Sequence, residues 1–150
     1  MTVRNLEFLF RPKSVALIGA STRAHAVGAV TADNLRSAGF DGPILPVNPK
    51  HAAVAGMLAY PDVASLPLAP DLAVICTPAE TVPGLIAQLG MRGTKAAIVI
   101  SAGFKEAGTQ RAMALEQAPA TRQAIKGSRE WRFILSASIS FYEGRPDGVP

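Results

Sequence analysis

The chain contains a single cysteine, Cys76, among its 150 residues. One thiol closes no internal disulfide, and without a second there is no CxxC redox or zinc pair, so the expected setting is cytoplasmic. Charge is scarce as well, at 17% of residues, and aromatics make up only 6%. With 49% hydrophobic residues, that scarcity excludes a disordered chain. The net charge is +4, but Arg and Lys never gather into a block, which argues against a specific nucleic-acid partner. No apolar run reaches the ~18 residues of a membrane span. Met1 to Pro12 mixes Arg4, Glu7 and Arg11 among its apolar residues and so lacks a signal-peptide core. Neither His25 nor His51 has an Asp, Glu or Cys at metal-site or triad spacing, and Glu80, Glu106 and Glu116 stand alone. No metal site and no catalytic group is expected, and both histidines read as exposed.

What the sequence does contain is a rhythm of short β-branched runs. Ser14 to Ile18 is apolar on both faces, as a buried parallel strand is, and Ala29 to Ala38 follows as a helix stopped by Gly39. Pro43 to Val47 and Leu72 to Cys76 repeat the strand pattern, each closed by a proline just beyond. Between them Asp62 to Leu66 is predicted as a short helical turn, and Leu66 to Pro70 as a connector that proline keeps from being helical. Thr81 is placed to cap a helix over Val82 to Leu89. Ala96 to Ile100 is the fourth strand, followed by a helix over Lys105 to Gln117, and a further strand is expected over Phe133 to Ile139. Such alternation predicts one three-layer α/β domain, a Rossmann-like doubly wound parallel sheet with right-handed crossovers.

In such a sheet, ligands bind at the carboxyl ends of the strands, so the loops there are the candidates. The first, Gly19-Ala20-Ser21-Thr22 through to Val27-Gly28, offers close backbone approach and two hydroxyls, which suits a pyrophosphate. It is not a GxGxxG, since the next glycine after Gly19 comes nine residues later, and a ligand-free tight turn is its plain alternative. After the second strand, where an NAD-binding domain places an acidic residue for the ribose, stand Asn48-Pro49-Lys50. A lysine in place of a carboxylate points to a phosphorylated ribose, which NADP and coenzyme A both carry; the alternative is a solvated surface lysine. Cys76-Thr77-Pro78 adds amides and a hydroxyl, with Cys76 itself reading as a structural thiol, and Ser101-Ala102-Gly103-Phe104 adds a fourth lip.

The run Leu9-Phe10-Arg11-Pro12-Lys13-Ser14-Val15-Ala16-Leu17-Ile18-Gly19-Ala20-Ser21 resembles the start of the CoA-binding domain of NDP-forming acyl-CoA synthetases. Pro46-Val47-Asn48-Pro49-Lys50, Asp71 to Ile75 with Thr77-Pro78-Ala79, and Val99 to Phe104 match that family's pattern in order and spacing. The domain is similar to the amino-terminal half of the succinyl-CoA synthetase α subunit, and it also opens the GNAT-containing protein lysine acetyltransferases. The resemblance covers roughly residues 6 to 117. It implies a CoA site with Gly19 to Thr22, Val27 and Gly28 near the phosphates, Lys50 near the adenosine-end phosphate, Cys76 to Pro78 beside the nucleotide, and Ser101 and Gly103 near the pantetheine arm. Residues 1–117 are then the CoA-binding domain, and 118–150 a divergent tail with one further strand, because Ser136-Ala137-Ser138 stands where the family has a Leu-Gly-Pro-Asn run. Ligation would need an ATP-grasp or acetyltransferase partner chain, and a homo-oligomer is compatible with the domain. The alternatives left open are an NADP-binding oxidoreductase domain and a ligand-free interaction domain.

Overall fold

The computed structural model describes residues 6–100 and 134–137. Their order is α1 (Leu6–Phe10), β1 (Val15–Ile18), α2 (Val27–Ser37), β2 (Ile44–Val47), β3 (Ala53–Val54), β4 (Met57–Leu58), β5 (Leu72–Ile75), α3 (Val82–Met91), β6 (Ala96–Ile100) and β7 (Ile134–Ala137). Five strands form one sheet in the order β2-β1-β5-β6-β7, and each neighbouring pair is parallel. The sheet is a doubly wound α/β architecture. The expected helix over Lys105 to Gln117 lies outside the described residues.

Alternation along the strands builds two cores. On one face Ala16 and Ile18 of β1, Ala73 and Ile75 of β5, and Ala97 and Val99 of β6 pack with Val82, Ile86 and Leu89 of α3. On the other, Val15, Leu17, Leu72, Val74 and Ala96 pack with Ala32 and Leu35 of α2 and with Phe8 and Leu9 of α1. Strands buried on both faces have no polar side to alternate with, which is why they read as unbroken apolar runs. Leu17, Ile75, Ile86 and Leu89 are among the largest fully buried side chains. Each contributes about 1.5–3 kcal/mol of burial relative to an exposed position.

Proline is tolerated in β2 because β2 is an edge strand. The Pro46 carbonyl accepts a hydrogen bond from the Tyr60 amide at 2.8 Å, on the side away from β1. A residue's N–H and C=O point to the same side of a strand, so the missing donor of Pro46 breaks no bond to β1.

Of the local features, one turn stands where expected, one cap is corrected, and one hairpin was not expected. Residues 62–66 form a single short turn: the Leu66 amide donates to the Val63 carbonyl at 3.3 Å, and the Asp62 carboxylate accepts from the Ser65 amide and hydroxyl, both at 2.8 Å. Thr81 does not cap α3. Its own backbone is already helical, and its hydroxyl lies 2.7 Å from the Pro78 carbonyl instead. Between β2 and β5 the chain makes a small antiparallel hairpin, β3–β4, which buries Val54 and sets Tyr60 beside Val47. Among the described residues no helix is long and apolar enough to cross a membrane.

Candidate functional site

The chain leaves β1 toward β2 on one side and, after the hairpin, returns to β5 on the other, so β1 and β5 flank the point where the strand order reverses. In a parallel sheet with this strand order, the loops beyond the carboxyl ends of β1 and β5 diverge in opposite directions and leave a crevice between them. Two glycines close its floor. Gly19 has φ +83°, and a Cβ on it would lie 2.7 Å from the Cys76 carbonyl oxygen and 2.8 Å from the Thr77 methyl carbon. A Cβ on Gly28 would run into the Gly19 carbonyl oxygen. The absent side chains let the loop after β5 and the first turn of α2 both seat against the end of β1.

Among the described residues, no side chain caps the start of α2. Its N-cap, Ala26, is extended and supplies no side-chain hydrogen bond, and the first turn carries no acidic residue. The Ala29 and Val30 amides donate to the Ala26 carbonyl, whereas no described residue accepts from the amides of Val27 or Gly28. Unsatisfied amides at the positive end of a helix dipole favour an anion. Beside them the Ser21 hydroxyl accepts from the Arg23 amide at 3.1 Å, which folds the loop back on itself.

Asn48 ties the loop after β2 to this floor. Its Nδ2 donates to the Ala20 carbonyl at 2.7 Å, and its Oδ1 accepts from the amides of Lys50 at 2.7 Å and His51 at 3.0 Å. Both hydrogen-bonding ends of one amide side chain are used, so Pro49, Lys50 and His51 turn outward at a fixed place. The side chains of Lys50 and His51 are exposed, and Nε2 of His51 lies 3.3 Å from the Thr22 hydroxyl. That pairing of His51 across two loops was not legible in the sequence, where the only hint was its position next to Lys50.

On the β5 side, the Thr77 hydroxyl lies 2.7 Å from that of Thr81, which also reaches the Pro78 carbonyl. Thr81 has one proton, and the carbonyl can only accept it, so in the fully satisfied arrangement Thr77 donates to Thr81 and keeps its lone pairs for the crevice. Cys76 is half-buried, and burial pushes its thiol above the usual range, partly offset by the Thr31 hydroxyl at 3.8 Å. A thiol held protonated is a structural one, in keeping with its reading from sequence. Thr31, which also donates to the Val27 carbonyl at 2.8 Å, was not singled out beforehand.

The crevice therefore brings together Gly19, Ala20, Ser21, Thr22, Val27 and Gly28 with Asn48, Pro49 and Lys50 on one flank and Cys76, Thr77 and Pro78 on the other. Ser101 and Gly103 lie outside the described residues. No group of His, Cys, Asp and Glu able to hold a metal occurs among the described residues.

The family model described as a CoA binding domain matches residues 13–127. The chain is 45% identical over 105 residues to the acetate–CoA ligase [ADP-forming] I of Archaeoglobus fulgidus, which is 70% of this chain and 15% of that protein. To the α subunit of the acetate–CoA ligase [ADP-forming] I of Pyrococcus furiosus it is 39% identical over 110 residues, covering 71% of this chain and 24% of the subunit. The chain thus spans well under a third of the length of these relatives. Among solved structures, the apo form of the dinucleotide-forming acetyl-coenzyme A synthetase 1 of Candidatus Korarchaeum cryptofilum superposes with a TM-score of 0.74 at 38% identity, over 87% of this chain and 27% of that one. A hypothetical protein from Pyrococcus horikoshii, 22% identical with a TM-score of 0.65 over 89% of this chain and 82% of its own, shares the fold. With the family model spanning most of its length, this chain belongs to the CoA-binding domain family.

Proposed function

We propose that the crevice between β1 and β5 binds coenzyme A and that the domain presents it to the catalytic machinery of an ADP-forming acyl-CoA synthetase. The observation that carries this is the loop after β2: Asn48 fixes it against the β1 loop, and it offers Lys50 where an NAD-binding domain has a carboxylate. The diphosphate then lies on the free amides of Val27 and Gly28 with Gly19 to Thr22 around it. The ribose phosphate faces Lys50 beside Asn48 and Pro49, and Cys76, Thr77 and Pro78 line the nucleotide. The pantetheine arm runs toward Ser101 and Gly103. In this reading residues 1–117 form the binding unit, and the strand contributed from 118–150 extends the sheet at its far edge. Phosphoryl and acyl transfer fall to other domains or to a partner chain of the ATP-grasp or acetyltransferase type, since the described crevice offers no acid–base pair.

Calorimetric titration of the chain with CoA, acetyl-CoA and NADP tests this directly. CoA and acetyl-CoA are expected to bind and NADP to bind far more weakly. Lys50→Ala should weaken CoA by about tenfold, the lower end of a charge-assisted contact because the side chain is exposed. A folded chain that binds none of them, or prefers NADP, overturns the proposal.

A further inference from the structure

We propose that His51 is a specificity-determining residue for a ribose phosphate monoester, acting beside Lys50 and through the hydroxyl of Thr22; this rests on the CoA reading of the site. The placement comes from two contacts. Asn48 Oδ1 gathers the amides of Lys50 and His51, so the two side chains leave the loop together. The His51 ring then reaches across to the β1 loop, with Nε2 at 3.3 Å from Thr22 Oγ. It stands at the seam between the loop expected to hold the diphosphate and the loop expected to hold the ribose phosphate.

The surroundings select an anion. The three loops, residues 19–26, 48–52 and 76–78, hold Arg23, His25, Lys50 and His51 and no Asp or Glu; the first acidic residue beyond them is Glu80, exposed after Pro78. No carboxylate on these loops offers a protonated His51 an ion pair, so an incoming phosphate meets no competitor from them.

The chemistry of the pair makes His51 more than a second positive charge. A neutral imidazole protonated on Nδ1 accepts the Thr22 proton at Nε2, which leaves Thr22 no hydrogen for a ligand. Once the ring is protonated, both nitrogens are donors. Nε2–H then points at the Thr22 oxygen, the hydrogen bond reverses, and the Thr22 hydrogen is released toward the anion. From that tautomer, protonation of one ring changes Thr22 from a spent hydroxyl into a phosphate donor. At 3.3 Å the contact is long for a hydrogen bond, so a ligand can reorient it at little cost. A phosphate anion beside the ring favours its charged form, so binding is expected to draw a proton onto the ring.

The test is calorimetric titration of CoA and 3′-dephospho-CoA at pH 6.5, in two buffers of different ionisation enthalpy. It compares the wild type, His51→Gln, Thr22→Val and the double variant. Both side chains are exposed, and circular dichroism checks that each variant is folded. The wild type should prefer CoA and take up a fraction of a proton on binding it. His51→Gln should shrink the preference for CoA about five- to tenfold, abolish the proton uptake, and leave dephospho-CoA within about twofold of wild type. Thr22→Val, which also borders the diphosphate in the proposed site, should weaken both ligands but CoA more, and the preference for CoA in the double variant should be no smaller than in His51→Gln alone, as two residues in one network require. An unchanged preference, equal weakening of both ligands, or additive single effects overturns the assignment of His51 while leaving the CoA site standing. Failure of the wild type to bind CoA at all overturns the site itself.

Discussion

Gly28 and Gly84 occupy corresponding first turns of α2 and α3, and the same substitution at each should have opposite signs. At Gly28 an added methyl meets the Gly19 carbonyl oxygen, with Ala20 Cα only 3.2 Å away. Both are backbone atoms at the end of β1, so neither can rotate aside, and the first turn of α2 must lift off the strand. Overpacking of this kind costs about 1–3 kcal/mol, and the gain in helix propensity from Gly to Ala returns at most ~1 kcal/mol. A clash against fixed backbone belongs at the upper end of that range, so the net loss is about 2 kcal/mol, or roughly 4–8 °C in Tm for a chain of this size. At Gly84 the methyl meets nothing within 4 Å, on an exposed helix position. Gly84→Ala should therefore stabilise by about 0.5–1 kcal/mol through the unfolded chain's lost freedom. Urea denaturation with the slope m held common gives both numbers, and CoA titration of the same samples gives a third. Only Gly28→Ala should weaken CoA, because only there do the free amides of α2 move. Equal stability of Gly28→Ala and the wild type would refute the seating of α2 on Gly19, and with it the account of the anion site.

Asn48→Ala removes the donor to the Ala20 carbonyl and the acceptor for two amides, so it should cost about 1–3 kcal/mol and weaken CoA as well, both readable on one protein by denaturation and calorimetry. The Cys76 thiol is raised by burial, so alkylation by iodoacetamide at pH 8 should be slower than for free cysteine, and slower still in Thr31→Val, which loses the one contact that lowers it. The same shift has a stability sign: a raised group favours the fold below the ordinary thiol value and loses that advantage as pH climbs toward the raised one. The stability gap between wild type and Cys76→Ala should accordingly narrow from pH 7.5 to 10. Asp62 runs the other way. The Ser65 hydroxyl, and after it the Ser65 amide, hold its carboxyl below the usual value, so its contribution is present above that value and disappears as pH falls through the lowered one. Wild type and Asp62→Asn should converge in Tm on acidification; a gap that stays constant to pH 3 would contradict the turn seen at 62–65.

The sheet was legible because burial on both faces leaves a strong sequence imprint. Val15 to Ile18, Leu72 to Ile75 and Ala96 to Ile100 are apolar without interruption, and proline or glycine punctuates their ends. The hairpin at 53–58 leaves almost none, since strands of two residues have no period, and its turn uses Ala55 at φ +51° beside Gly56, a conformation alanine does not advertise. Thr81 misled for a related reason: a hydroxyl at a helix start has two local partners to choose from, and the proline at 78 left a carbonyl within reach that won over the helix amides. The candidate loops were read from their residue types and their positions after strands. The contacts that make them one site, from Asn48 to Ala20 and from His51 to Thr22, span 28 and 29 residues and exist only once β1 and β2 are paired.

Asn48 shows how structure and selectivity become inseparable at the end of β2. Tying the two loops needs a donor toward the Ala20 carbonyl and an acceptor toward the amides of Lys50 and His51, and a single neutral amide side chain provides both. An aspartate there would still accept from the amides, but its carboxylate would face the Ala20 carbonyl with no proton between them. An NAD-type ribose contact at this position is thus incompatible with the tie that holds the crevice together. With the carboxylate excluded on structural grounds, the next residues outward, Lys50 and His51, set the local charge as positive. On the proposed CoA reading, a site assembled this way prefers a ribose that carries a phosphate, and the preference follows from how the loop is fastened.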